Sequence, residues 1–227
     1  GFATFPSGLR VAIPVDVSAP EKTSAGYRVE NDSTTIGLDE LPDASGLGSI
    51  SGKVLAEGAA GTLVVAGNAS GVADSDGTYV IFNVPAGELE VRGYAAGLSL
   101  EPASASVKAG VEATGVDLAA SDAPLGAVNG SVSFVNASAQ TTSVVLVVAS
   151  TFNDALKRGE VPPGLRAFPV SGQYSFADVP TGDYVVLAAF ENDELVRDPD
   201  EAIGGTAIQS VSVAGAAVDV AGFKVTG

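Results

Sequence analysis

The sequence predicts an all-β protein: two tandem Ig-like β-sandwiches preceded by an N-terminal β-strand extension. Three observations carry this. Apolar residues fall in short, Val-rich stretches bounded by Gly, Ser, Asp or Pro; helix signals are nearly absent; and the phrase DGTYVIFNVPAGELEV (76–91) returns as SGQYSFADVPTGDYVV (171–186). Short strands closed by turn residues at this spacing are the pattern of a sandwich.

The strands are read in order as LRVAIPVDV (9–17), GTLVVAG (61–67), GELEVRGYA (87–95), AVNGSVSFV (127–135), DYVVLAAF (183–190), QSVSVAG (209–215) and AGFKVTG (221–227). The best helical stretch, STFNDALKRGE (150–160), offers about two turns capped by Asn153 or Asp154, before Gly159 and the Pro162-Pro163 pair stop it. In the repeated phrase, Asp76-Gly77 supplies the positive φ of a tight hairpin turn. Tyr79 then opens a strand with its ring placed to cover the sandwich edge. Pro85 and Gly87 force a corner, since Pro fixes φ and donates no hydrogen bond while Gly admits left-handed backbone.

Gly77, Tyr79, Val84, Pro85 and Gly87 align with Gly172, Tyr174, Val179, Pro180 and Gly182 at a constant shift of 95 positions. Upstream, ISGKV (50–54) matches VNGSV (128–132) at a shift of 78, so the second copy carries 17 extra residues, placed around FNDALKRGEVPPGLR. Downstream, SVKAGVEATGVDL (106–118) and SVSVAGAAVDVAGFKV (210–225) read as the same closing strands. The chain divides into an extension (1–47), a first sandwich (48–122) and a second (123–227).

These motifs resemble the carboxypeptidase regulatory-like domain, grouped with collagen-adhesin B-type repeats and other transthyretin-like, or prealbumin-like, sandwiches. The first copy carries the resemblance in Gly52, Val54, Asp76, Gly77, Tyr79, Val84, Pro85, Gly87, Val91, Val116, Asp117 and Leu118. The second does so in Gly130, Val132, Gly172, Tyr174, Phe176, Val179, Pro180, Gly182 and Tyr184, with Ser171 in place of the turn Asp. The resemblance implies transthyretin-like sandwiches of the kind appended to secreted peptidases, receptors, adhesins and surface proteins. It also raises the internal Lys-Asn/Asp isopeptide bond of some collagen-adhesin domains. Strand alternation, however, places Lys53 on the water side, and Ser131 stands there in the second copy.

Composition narrows the chemistry. With 227 residues and a formal charge of -16, the chain repels phosphate backbones and anionic lipid surfaces, so nucleic acid is not an expected partner. Cys, Met, Trp and His are absent, which removes thiol nucleophiles, imidazole bases, Ser-His-Asp triads and zinc sites built on His or Cys. No Asp/Glu pair is singled out for acid-base work, and no enzyme activity is expected. The longest apolar run, SVVLVVAS (143–150), is less than half of what spans a bilayer, so no membrane insertion is expected. The start, GFATFPSGLR, lacks an initiator Met and reads as an exported chain whose leader has been removed, destined for the cell surface or beyond.

Three sets of candidate site residues remain. The loop ENDELVRDPDEAIGG (191–205) offers Asp193, Asp198, Asp200 and Glu201 as hard oxygen ligands suited to Ca²⁺, although Arg197 sits among them; DSDG (74–77) reads chiefly as a turn. Asn31, Asn68, Asn129 and Asn136 each begin N-x-S, four of the seven asparagines, more than chance would place and a sign of a glycosylated, exported protein. LRVAIPVDV sets Leu9, Val11, Ile13, Val15 and Val17 on one face, and Pro14 keeps it from a central position. It either lies at an edge of its own domains or completes the sheet of a neighbouring copy. The function expected is that of an extracellular structural protein, self-associating into the homopolymer of a surface filament or layer. The alternative is an accessory binding or spacer module; aromatics of only 6% count against sugar stacking.

Overall fold

The computed structural model describes residues 2–4, 10–12, 21–23, 26–28, 46–135, 142–154, 159–190 and 208–226. Two short antiparallel pairs come first: β1 (Phe2–Thr4) with β2 (Arg10–Ala12), and β3 (Glu21–Thr23) with β4 (Gly26–Arg28). Val11 therefore lies in a three-residue strand opposite Ala3. Leu9, Ile13, Val15 and Val17 fall outside the described residues.

Eight strands then make a sandwich. β5 (Leu47–Leu55) is central to one sheet, with β8 (Thr78–Pro85) antiparallel on one side and β11 (Glu112–Ala113) and β12 (Leu118–Ala119) parallel on the other. The facing sheet runs β10 (Ala103–Val107), β9 (Gly87–Tyr94), β6 (Leu63–Ala66), β7 (Ala69–Val72). Among the described residues eight more strands follow the same arrangement. β13 (Gly126–Val135) pairs with β16 (Gln173–Val179) and, in parallel, with β19 (Ala217–Asp219) and β20 (Phe223–Thr226). Opposite lie β15 (Arg166–Ala167), β14 (Thr142–Val148), β17 (Gly182–Phe190) and β18 (Gln209–Val213) in that order.

The copies agree in detail. Gly52 faces Tyr79 and Gly130 faces Tyr174 across equivalent ladders, and each ladder slips after Gly48 or Gly126. At the matching points Asn83 and Asp178 hold φ of 59° and 54°. Asn and Asp tolerate this left-handed backbone better than other side chains. Gly52 is required by close approach, since a Cβ there would collide with the Val116 carbonyl. The Tyr79 ring is buried in the core with its hydroxyl donating to the Val116 carbonyl, rather than covering the edge as the sequence suggested. An interior offering that acceptor is better for a phenol than the rim.

Among the described residues no α-helix occurs. In the expected helical stretch a 3-10 turn covers Ala149–Thr151. Residues 155–158 are outside the description. The turn begins the segment between β14 and β15 that lengthens the second copy.

Candidate functional site

The candidate site is the junction of the two sandwiches. On β6 all four side chains are buried, because both faces are covered: Val64 and Ala66 enter the first core, while Leu63 and Val65 join the second. Tyr94, across from Leu63, goes with them and meets Tyr184 edge-on with ring centroids 5.9 Å apart. Tyr184 is fully buried and its hydroxyl donates to the Pro180 carbonyl at 2.7 Å. Burial pushes both phenols above the usual tyrosine range. Backbone bonds seal the joint: Ala96 N–H donates to Pro163 O at 2.9 Å and Gly97 N–H to Asp178 O at 2.8 Å.

The joint explains a glycine that the sequence assigned to a turn. Gly87 holds φ of 147° in open space, as the corner requires. Its counterpart Gly182 has no such backbone; a Cβ there would sit 2.8 Å from Tyr94 Cε1. One motif position thus serves backbone freedom in the first copy and interdomain packing in the second.

Beside the joint opens a cleft of about 650 Å³, lined on one side by Val65, Glu88, Glu90 and Arg92 and on the other by Asp183 and Ser212. Arg92 Nε donates to Glu90 Oε1 at 2.5 Å, and Ser212 Oγ donates to Asp183 Oδ1. The carboxylates of Glu90 and Asp183 help keep the guanidinium charged. The cleft is a mixed apolar and acidic seam.

Of the residues singled out for metal binding, Asp193, Asp198, Asp200 and Glu201 lie outside the described residues. No acidic cluster of metal-holding geometry occurs among the described ones. DSDG is a hydrogen-bonded turn: Asp74 Oδ1 accepts from Asp76 and Thr78 N–H at 3.0 and 3.1 Å, and Gly77 has φ of 85°. Hydrogen bonds to Asp74 and to Thr78 hold the Asp76 carboxyl well below the ordinary range. Lys53 Nζ lies 3.5 Å from Asp76 with its side chain 44% exposed.

Asn68 is exposed in the turn between β6 and β7. Asn129 accepts from Ser175 Oγ at 2.8 Å and donates to Asp219 Oδ1 at 3.3 Å, so its amide is engaged on the sheet surface. Asn31 and Asn136 are outside the described residues. Sequence reasoning missed Tyr94 and Leu63 as joint residues. The available signal was GTLVVAG, a strand apolar on both faces and therefore in need of two covers.

A scan against protein families finds no match, and no curated protein matches the chain. Solved structures give distant likenesses. The TIE protein of Bacillus anthracis shares 16% identity over 79% of this chain and 34% of its own, with a TM-score of 0.27. The chain thus spans about a third of that protein's length. GBS52, a minor pilin of Streptococcus agalactiae, shares 12% identity over 69% of this chain and 67% of its own, TM-score 0.29. A streptococcal ancillary pilin shares 13% over 96% of this chain and 76% of its own, TM-score 0.26.

Proposed function

We propose that this chain is an extracellular, non-enzymatic structural protein, a subunit of a surface filament or layer assembled by β-strand complementation. The observation that carries the reading is a pair of sheet edges left open among the described residues. β10 and β18 each end a four-stranded sheet, pair on one side only among the described residues, and read ASASV and QSVSV with serines exposed and Ala or Val buried. Neither strand holds the charge or proline that usually guards an edge. Strand 9–17, with Leu9, Val11, Ile13, Val15 and Val17 on one face, is the proposed donor. Under this reading 48–122 and 123–227 are the two building blocks, Asp193, Asp198, Asp200 and Glu201 are a Ca²⁺ loop, and Asn31, Asn68, Asn129 and Asn136 are glycan acceptors.

The buried joint favours one second reading, a rigid spacer within a larger surface protein. Light scattering and negative-stain microscopy separate the two. Assemblies that disappear when residues 1–20 are deleted support strand donation. Assemblies lost on chelation alone shift the role to the acidic loop. A monomer at every concentration, with and without millimolar Ca²⁺, leaves the spacer.

A further inference from the structure

In both sandwiches the last strand lies beside the first and runs parallel to it. β12 pairs with β5 through Leu118–Val54 and Ala119–Leu55, and β20 pairs with β13 from Val132–Phe223 to Val135–Thr226. In each case the chain enters at one end of this pair and leaves at the other. Tension along the chain therefore slides the two strands past one another. Ladder hydrogen bonds stand across the strands, so sliding loads them together, whereas peeling breaks them one at a time.

The first and last segments are also joined beyond these ladders. In the first sandwich Gly110 N–H donates to Leu47 O at 2.8 Å, Ser49 N–H to Val111 O at 3.2 Å and Val116 N–H to Ser51 O at 3.1 Å. Lys53 N–H donates to Asp117 Oδ1 at 2.9 Å, and the Tyr79 hydroxyl donates to Val116 O. In the second, Ala127 N–H donates to Ala216 O at 3.3 Å, Val220 N–H to Asn129 O at 2.8 Å, and Asn129 Nδ2 to Asp219 Oδ1 at 3.3 Å. β5 and β13 are thus held along most of their length by the segment that leaves the domain.

We propose that the chain bears mechanical load: each sandwich is a shear clamp closed between its first and last strands, so that tension applied at the ends meets its greatest resistance there. This role goes beyond self-association and does not depend on it. It suits any protein that links a surface to something that pulls on it.

The chain contains no cysteine, so introduced thiols are unique attachment points for single-molecule force spectroscopy. The full chain is pulled first from its two ends, then through Thr181→Cys and Ala214→Cys, which flank the paired ends Gly182 and Val213 and peel β17 from β18. End pulling is expected to need a rupture force severalfold higher than peeling. A double variant, Tyr79→Phe with Asp117→Ala, removes two of the links in the first sandwich. It is expected to lower one of the two end-pulled events and leave the other in place. Equal forces in the two geometries, or no change in either event, overturn the clamp whatever the state of assembly. A monomeric protein with the force difference intact sets aside the filament and keeps the clamp.

Discussion

The two copies meet the same problem, an outer sheet face that carries apolar side chains, in different ways. In the first copy the outer face of β6 and β9 presents Leu63, Val65 and Tyr94, and the second sandwich covers them. In the second copy the equivalent face of β14 and β17 presents Val147, Val185 and Leu187, packed against Ala149, Phe152 and Ile208. Ala149 and Phe152 belong to the segment that lengthens this copy. Across the motif alignment Glu90 corresponds to Val185 and Arg92 to Leu187. Where a neighbour leaves a cleft open the face is charged, and where the chain's own insertion closes it the face is aliphatic. Burial therefore follows the cover, and identical topology does not fix which residues are core.

Removing the neighbour's plug perturbs the joint most. Tyr94→Ala empties the space against Tyr184 and is expected to cost about 3–5 kcal/mol. Calorimetry is expected to split one cooperative transition into two, and a single undiminished transition would show that the sandwiches do not depend on each other. Exchanging the equivalent residues sharpens the contrast. Val185→Glu buries a carboxylate under the insertion and is expected to cost about 3 kcal/mol. Glu90→Val, at the cleft, is expected to stay within about 0.5 kcal/mol. Denaturant midpoints of the two variants measure the gap directly, and similar losses would mean that both faces are equally covered.

Smaller effects test where the copies agree. Asn83→Ala and Asp178→Ala each place a less tolerant residue in left-handed backbone and are expected to cost about 1–2 kcal/mol, while the glycine variants come close to neutral. Chemical denaturation reads both, and a cost at one site only would break the equivalence of the ladders. Tyr79 and Tyr174 answer to pH alike, because burial pushes both phenols up to about 12. The folded state holds these protons more tightly than the unfolded one. Their contribution is thus complete below about pH 10 and declines as pH rises toward about 12. Near neutrality it does not vary. Phenolate absorbance should rise together with loss of fold in that window, and ionisation of these two rings at an ordinary tyrosine pKa would show them open to water.

Much of this was legible in advance. The DG turn and the V-P-x-G corner of the first copy state their own geometry, because φ preference and strand alternation act between near neighbours in sequence. The added residues of the second copy were also legible as an interruption of the repeat. Their role as a cover was not, since nothing local distinguishes a loop over water from a loop over Val147 and Leu187. Tyr94, two residues past the last charge of the alternation Glu88, Glu90, Arg92, carried no mark of the partner it would meet.

The strand class, the doubled phrase, the corner at Gly87 and the lack of His and Cys chemistry all follow from residue type and short-range spacing. Long-range packing set the rest: Gly182 makes room for a ring, Tyr79 turns inward to a carbonyl, and the last strand of each sandwich closes on its first. Those outcomes depend on which surfaces meet across long sequence separations. They are set by the burial of apolar area and the pairing of buried polar groups over the whole fold.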